Sequence, residues 1–174
     1  GFNTVRIVDL EFGVKDMEYS KDEAGTIDIS YYYGPLKFHP FVPPFEDHFK
    51  LIDQILKAAS QTQLKVILLS GGKQIEKFPL SESYKIYLEY LARRYQNEPN
   101  LIAYDLINEP SYFHKGPDKK ETQLLVQKWS NAIRENTSHQ LITIGFGESH
   151  TIFDWDPMML DLNFYSFHIY PGPD

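Results

Sequence analysis

Short apolar runs alternate along this chain with longer stripes of helical period, and that alternation is the tightest constraint on its fold. Five runs read as strands buried on both faces: Thr4 to Val8, Leu64 to Leu69, Leu101 to Ile107, Leu141 to Phe146 and Asn163 to Phe167. Between them, Asp47 to Ala59 sets Phe49, Ile52, Ile55, Leu56 and Ala59 at helical spacing. Glu82 to Gln96 does the same with Tyr84, Tyr87, Leu88, Leu91, Ala92 and Tyr95, and Glu121 to Asn136 with Leu125, Trp129, Ala132 and Ile133. Each stripe predicts an amphipathic helix with one buried face. Ser81 stands where an N-cap is expected, and Asp118 with Glu121 has capping-box spacing. Asn97 and Pro99 end the second helical pattern. Strands alternating with helices predict an α/β chain with a parallel sheet and right-handed crossovers.

Two architectures satisfy this order: a doubly wound open sheet and a (β/α)8 TIM barrel. A nucleotide-binding open sheet would carry a Gly-rich phosphate loop after a strand. Gly71-Gly72-Lys73 lacks the Walker spacing and the Ser or Thr after the Lys. The barrel is therefore the expected architecture.

Composition removes several function classes. With 17 Lys and Arg against 24 Asp and Glu, the net charge is −7, which disfavours binding a phosphate backbone. Cysteine is absent, so disulfides, zinc thiolates and a cysteine nucleophile are excluded. No apolar run approaches the roughly 20 residues of a membrane span. His39, His48, His114, His139 and His150 show no HxH or HExxH spacing and read mostly as surface positions. No nucleic-acid partner, membrane, metal or cofactor is expected, and oligomeric state is not legible.

In either architecture the site lies beyond the carboxyl ends of the strands. After the third strand stands Asn108-Glu109-Pro110. There a Glu can aim a carboxylate into the mouth of a barrel, or simply sit solvated in a turn. After the fifth strand, His168 and Tyr170 occupy alternate positions that share a face. They can serve a site or pack the barrel wall. Arg6 lies inside an apolar strand, where a buried guanidinium needs a carboxylate partner. A catalytic Glu is one candidate; Asp9 and Asp105 are structural ones.

Taken together, the motifs are more specific than any one of them. They are Gly1-Phe2-Asn3-Thr4-Val5-Arg6-Ile7, Tyr90-Leu91-Ala92-Arg93-Arg94-Tyr95, Pro99 through Pro110 and Ser166-Phe167-His168-Ile169-Tyr170-Pro171, in that order along the chain. On these segments the chain resembles the superfamily of retaining glycoside hydrolases with a (β/α)8 barrel, of the cellulase and β-mannanase type. The resemblance implies that Glu109 is the general acid/base and that Asn108 contacts the sugar 2-hydroxyl. It implies that Arg6 orients the nucleophile carboxylate, with His168 and Tyr170 lining the site beside it. It implies a β-linked oligo- or polysaccharide substrate, of β-mannan or β-glucan type, and a secreted or periplasmic location. Cellulase members often carry a His at the end of strand three, where this chain reads Leu69-Ser70-Gly71-Gly72.

The long connection from Leu10 to Phe45 holds Tyr31, Tyr32, Tyr33, Phe38, Phe41 and Phe45, and Tyr112 and Phe113 follow Glu109. Flat rings with polar tips suit sugar faces. Trp155, after the fourth apolar run, is the expected sugar platform, and Glu148 is read as a solvated loop residue. A barrel of this kind takes about 250 residues. Residues 1–174 are therefore expected to form one incomplete catalytic barrel domain holding strands two to six. Gly1-Phe2-Asn3 reads as mid-domain sequence, and the second catalytic Glu is expected beyond Asp174. Such a segment alone is expected to be unstable and inactive. Two readings compete with this one: a non-catalytic carbohydrate-binding barrel without the second carboxylate, and a metal-dependent hydrolase.

Overall fold

A computed structural model describes residues 2–7, 45–69, 81–108, 119–146 and 161–168. In chain order the elements are β1 (Thr4–Ile7), α1 (Phe45–Thr62), β2 (Lys65–Leu69), α2 (Ser81–Tyr95), β3 (Leu101–Asn108), α3 (Lys119–Arg134), β4 (Leu141–Phe146) and β5 (Ser166–Phe167). The strands form one sheet in the order β1-β2-β3-β4-β5, every neighbouring pair parallel. A doubly wound sheet reverses its strand order at a switch point. This one never reverses, so among the described residues the winding is that of a barrel.

The helical stripes face the sheet as their spacing requires. Phe49, Ile52, Leu56 and Ala59 of α1 are buried, as are Tyr84, Tyr87, Leu88, Leu91, Ala92 and Tyr95 of α2. From α3, Val126, Trp129, Ala132 and Ile133 join them, against Val66, Leu68, Tyr104, Leu106, Ile142 and Ile144 of the strands. Aromatic rings knit the helices together. Trp129 meets Tyr84 edge-on at 4.9 Å, Tyr84 stacks on Tyr87, and Phe49 packs on Tyr90 at 4.9 Å. Tyr84 also donates a 2.6 Å hydrogen bond to the carbonyl of Leu106, tying α2 to β3. The aromatic load of the described residues thus lies largely in the layer between helices and sheet. The loop aromatics from Tyr31 to Phe41, with Tyr112 and Phe113, lie outside the described residues.

Element ends show local chemistry. Helix α2 begins at Ser81 itself rather than after it, and Asp118 lies outside the described residues. Helix α1 closes in a Schellman arrangement: Leu64 N–H donates to the Ala59 carbonyl at 2.9 Å and Gln63 N–H to that of Ser60 at 3.4 Å. Gln63 takes the left-handed conformation at φ 58° that this closure demands.

The last strand is shorter than its apolar run. Before it begins, Asn163 N–H donates to the Ile142 carbonyl at 2.9 Å. Two side chains add to that bond. Asn163 Oδ1 accepts from Ile142 N–H at 2.8 Å, and Thr143 Oγ1 donates to the Phe164 carbonyl at 2.9 Å. Ladder pairing starts only at Ser166, opposite Gly145. Asp161, just before, is held by Arg134 of α3.

Candidate active site

The inner face of the sheet carries the candidate site. On β1, Val5 and Ile7 pack toward the helices, so alternation turns Arg6 to the other side. Its Nε donates to Asp105 Oδ2 of β3 at 2.7 Å. Asp105 is fully buried, whereas Arg6 keeps 22% of its side chain exposed. The other carboxylate oxygen, Oδ1, accepts from Gly145 N–H of β4 at 2.9 Å. Of the structural partners expected for Arg6, Asp105 is therefore in place; Asp9 lies outside the described residues.

Gly145 is the floor of this cluster. A Cβ there would sit 2.8 Å from Arg6 Nη2, 2.9 Å from His168 Nε2 and 3.1 Å from Asp105 Oδ2. Real Cβ atoms essentially never come within 3.0 Å of such atoms, so a side chain at 145 would force the ends of Arg6 and His168 to shift. The same distances measure the curl of the sheet. Strands three apart in a flat sheet lie about 14 Å from each other, too far for a β1 arginine to reach over β4. Arg6, Asp105 and His168 come from β1, β3 and the end of β5, and alternate strands share one layer of side chains inside a barrel.

Register places the end of β3 with care. Asp105 pairs with Thr143, but Asn108 pairs with Gly145, so β3 spends three steps where β4 spends two. This bulge brings Asn108 level with the glycine under the Arg6–Asp105 pair. Bulges of this kind re-aim strands beside active sites. A second irregularity falls between Val66 and Ile67.

Electrostatically the centre is a buried carboxyl group paired with the Arg6 guanidinium. Burial pushes the Asp105 carboxyl above its ordinary value; attraction to Arg6, the Arg6 and Gly145 hydrogen bonds and the nearby His168 oppose that rise. Among the described residues no group of three or more His, Asp or Glu side chains could hold a metal ion. None of the described helices is long and apolar enough to cross a membrane.

The structure therefore brings Arg6 and His168 together and sets Asn108 at the strand end beside them. Glu109, Tyr170, Trp155 and Glu148 lie outside the described residues. Sequence reasoning passed over Gly145. Its signal was available, since a glycine inside an apolar strand marks a close approach of something else. Asp105 was visible only as a possible ion-pair partner, not as the hub.

The comparisons agree with this architecture. The profile of the cellulase family, glycosyl hydrolase family 5, matches residues 1–174. The chain belongs to that family. Over 106 residues it is 31% identical to mannan endo-1,4-beta-mannosidase A of Podospora anserina, covering 52% of this chain and 28% of the mannosidase. Among solved structures it is similar to the beta-glucanase SdGluc5_26A from Saccharophagus degradans in complex with cellotetraose. That match has a TM-score of 0.61 at 14% identity, over 98% of this chain and 47% of the glucanase. A glycoside hydrolase family 5 protein from Bacteroides vulgatus matches at a TM-score of 0.50 and 20% identity, over 86% of this chain and 30% of its own. At such identities the structures speak for the fold alone. This family 5 chain spans less than half the length of each of these relatives.

Proposed function

We propose that the protein containing this family 5 segment is a retaining glycoside hydrolase that cleaves β-linked saccharides of the β-mannan or β-glucan type. The observation that carries the reading is the convergence of Arg6, Asp105 and His168 over Gly145, level with Asn108, at the carboxyl end of the sheet. Family membership and the mannosidase relative support the substrate class. Glu109 directly follows Asn108 in the chain and is assigned the acid/base role.

The chemistry needs two carboxyl groups about 5–5.5 Å apart. In the first step the protonated Glu109 gives its proton to the leaving glycosidic oxygen as that bond breaks. A second carboxylate, on a strand beyond the five described, attacks the anomeric carbon. In the second step Glu109, now a carboxylate, takes a proton from water, and the oxygen of that water displaces the enzyme carboxylate. Asn108 holds the sugar 2-hydroxyl, Arg6 orients the nucleophile, and His168 and Tyr170 line the site with Trp155 as a sugar platform.

The deciding experiment is Glu109→Ala in the full-length protein, assayed on β-linked oligosaccharides. Loss of about 10²-fold or more in kcat on substrates with poor leaving groups is expected, general acid/base catalysis contributing on that scale. Undiminished hydrolysis would overturn the assignment.

A further inference from the structure

We propose that Asp105 and Gly145 are positioning residues of the hydrolytic site, Asp105 aiming the Arg6 guanidinium and Gly145 keeping open the space that Arg6 and His168 share. The inference rests on the hydrolase reading above and adds to it two residues that neither touch the sugar nor take part in proton transfer.

The geometry runs as a chain of fixed parts. The Gly145 N–H at 2.9 Å holds Asp105 Oδ1, and Asp105 Oδ2 at 2.7 Å holds Arg6 Nε. A guanidinium is planar, so a hydrogen bond at Nε sets the direction of both Nη groups. With Nε committed to Asp105, Nη2 extends over Gly145 toward the spot that His168 Nε2 approaches from β5. A pair needed only for neutralisation could form with any rotation of the guanidinium. Here the orientation is dictated from the β4 backbone, and a side chain at 145 would collide with all three polar groups at once.

Charge matters as well as direction. Asp105, fully buried, is the carboxylate that Arg6 meets on the described strands. Once it is neutralised, Arg6 would act with its full charge on the incoming nucleophile carboxylate. That lowers the nucleophile's pKa and its reactivity together. The charged and titratable groups that face Asp105 from the packed strands are Arg6 on β1 and His168 after β5.

The test uses full-length enzyme carrying Asp105→Asn, and an aryl β-glycoside whose good leaving group needs no proton from Glu109 in the first step. The expected result is a kcat lower by about 10²-fold with KM nearly unchanged, the scale of a displacement of about 1 Å. The acidic limb of the pH profile of kcat/KM should move to lower pH. A purely structural role predicts a loss in proportion to unfolded protein with an unmoved limb, and that result overturns the proposal. Should Asp105→Asn fail to fold, Gly145→Ala provides the same readouts: a comparable fall in kcat supports the proposal and wild-type kcat overturns it. Active wild type, impaired Glu109→Ala and unaltered Asp105→Asn would sink this inference alone. A wild type inert toward every β-linked saccharide would sink both.

Discussion

Arg6 and Asp105 stand 99 positions apart in sequence and 2.7 Å apart in the fold. The contact joins the first described strand to the third across the inside of a curled sheet. Breaking a buried pair from one side leaves an uncompensated charge, which costs about 3–5 kcal/mol. Arg6→Leu in the full-length protein should approach that figure, because it strands the fully buried Asp105 carboxyl. Asp105→Ala should cost less, because the Arg6 it leaves behind keeps 22% of its side chain in contact with solvent. A double replacement with apolar residues should recover part of the loss, so the two changes should be non-additive by more than about 1 kcal/mol. Urea titration of the two single variants and the double variant measures the coupling.

Tyr84 couples a different pair of layers. Its hydroxyl donates to the Leu106 carbonyl at 2.6 Å, while its ring meets Trp129 edge-on. Tyr84→Phe keeps the ring and removes that hydrogen bond, so it should cost about 1 kcal/mol. Trp129→Ala empties the centre of the helical layer and should cost about 3–5 kcal/mol. Thermal melts of both variants check the ranking, and a Tyr84→Phe loss larger than that of Trp129→Ala would contradict it.

Period and order were legible because they record burial directly. Phe49 to Ala59, Tyr84 to Tyr95 and Trp129 to Ile133 face the core where their spacing places them. The family motif around Asn108-Glu109-Pro110 was legible because residue types at a strand end carry chemistry. Three things were not. The bulge between Asp105 and Asn108 leaves no mark in composition, since any apolar strand residue can be the extra one. The start of the Asn163 to Phe167 run is tied to β4 partly through side chains, and hydrophobic pattern cannot tell a ladder bond from a side-chain bond. His48, grouped with surface histidines by its lack of ligand spacing, is 6% exposed; its neighbours in space, not in sequence, decide that.

The Schellman closure of α1 offers a stabilising change. Gln63 holds φ 58°, a conformation that L side chains adopt at a cost and glycine adopts freely. The Gln63 side chain is exposed and available for replacement, so only the backbone preference changes. Gln63→Gly should raise stability by up to about 1 kcal/mol. A shift of the urea midpoint to lower concentration would show that the Gln side chain contributes more than its backbone conformation costs.

His48 makes stability depend on pH in a defined direction. It lies between α1 and α2 with Nε2 2.9 Å from the Tyr87 hydroxyl and its ring edge-on to Phe49. Burial disfavours the imidazolium and lowers the pKa from 6.5 to about 4. Between those values the unfolded chain binds a proton that the folded chain refuses, so stability falls as pH falls. The contribution is complete above pH 6.5, declines through the window, and is exhausted below about pH 4. Its full size is about 3 kcal/mol, because each tenfold change in proton affinity is worth about 1.4 kcal/mol. His48→Gln can keep a hydrogen bond to Tyr87 and cannot titrate. The difference in unfolding free energy between pH 6.5 and pH 4 should therefore shrink in the variant by most of that amount. Equal pH dependence in wild type and variant would show that the imidazole is protonated inside the fold, and that Tyr87 alone does not define its surroundings.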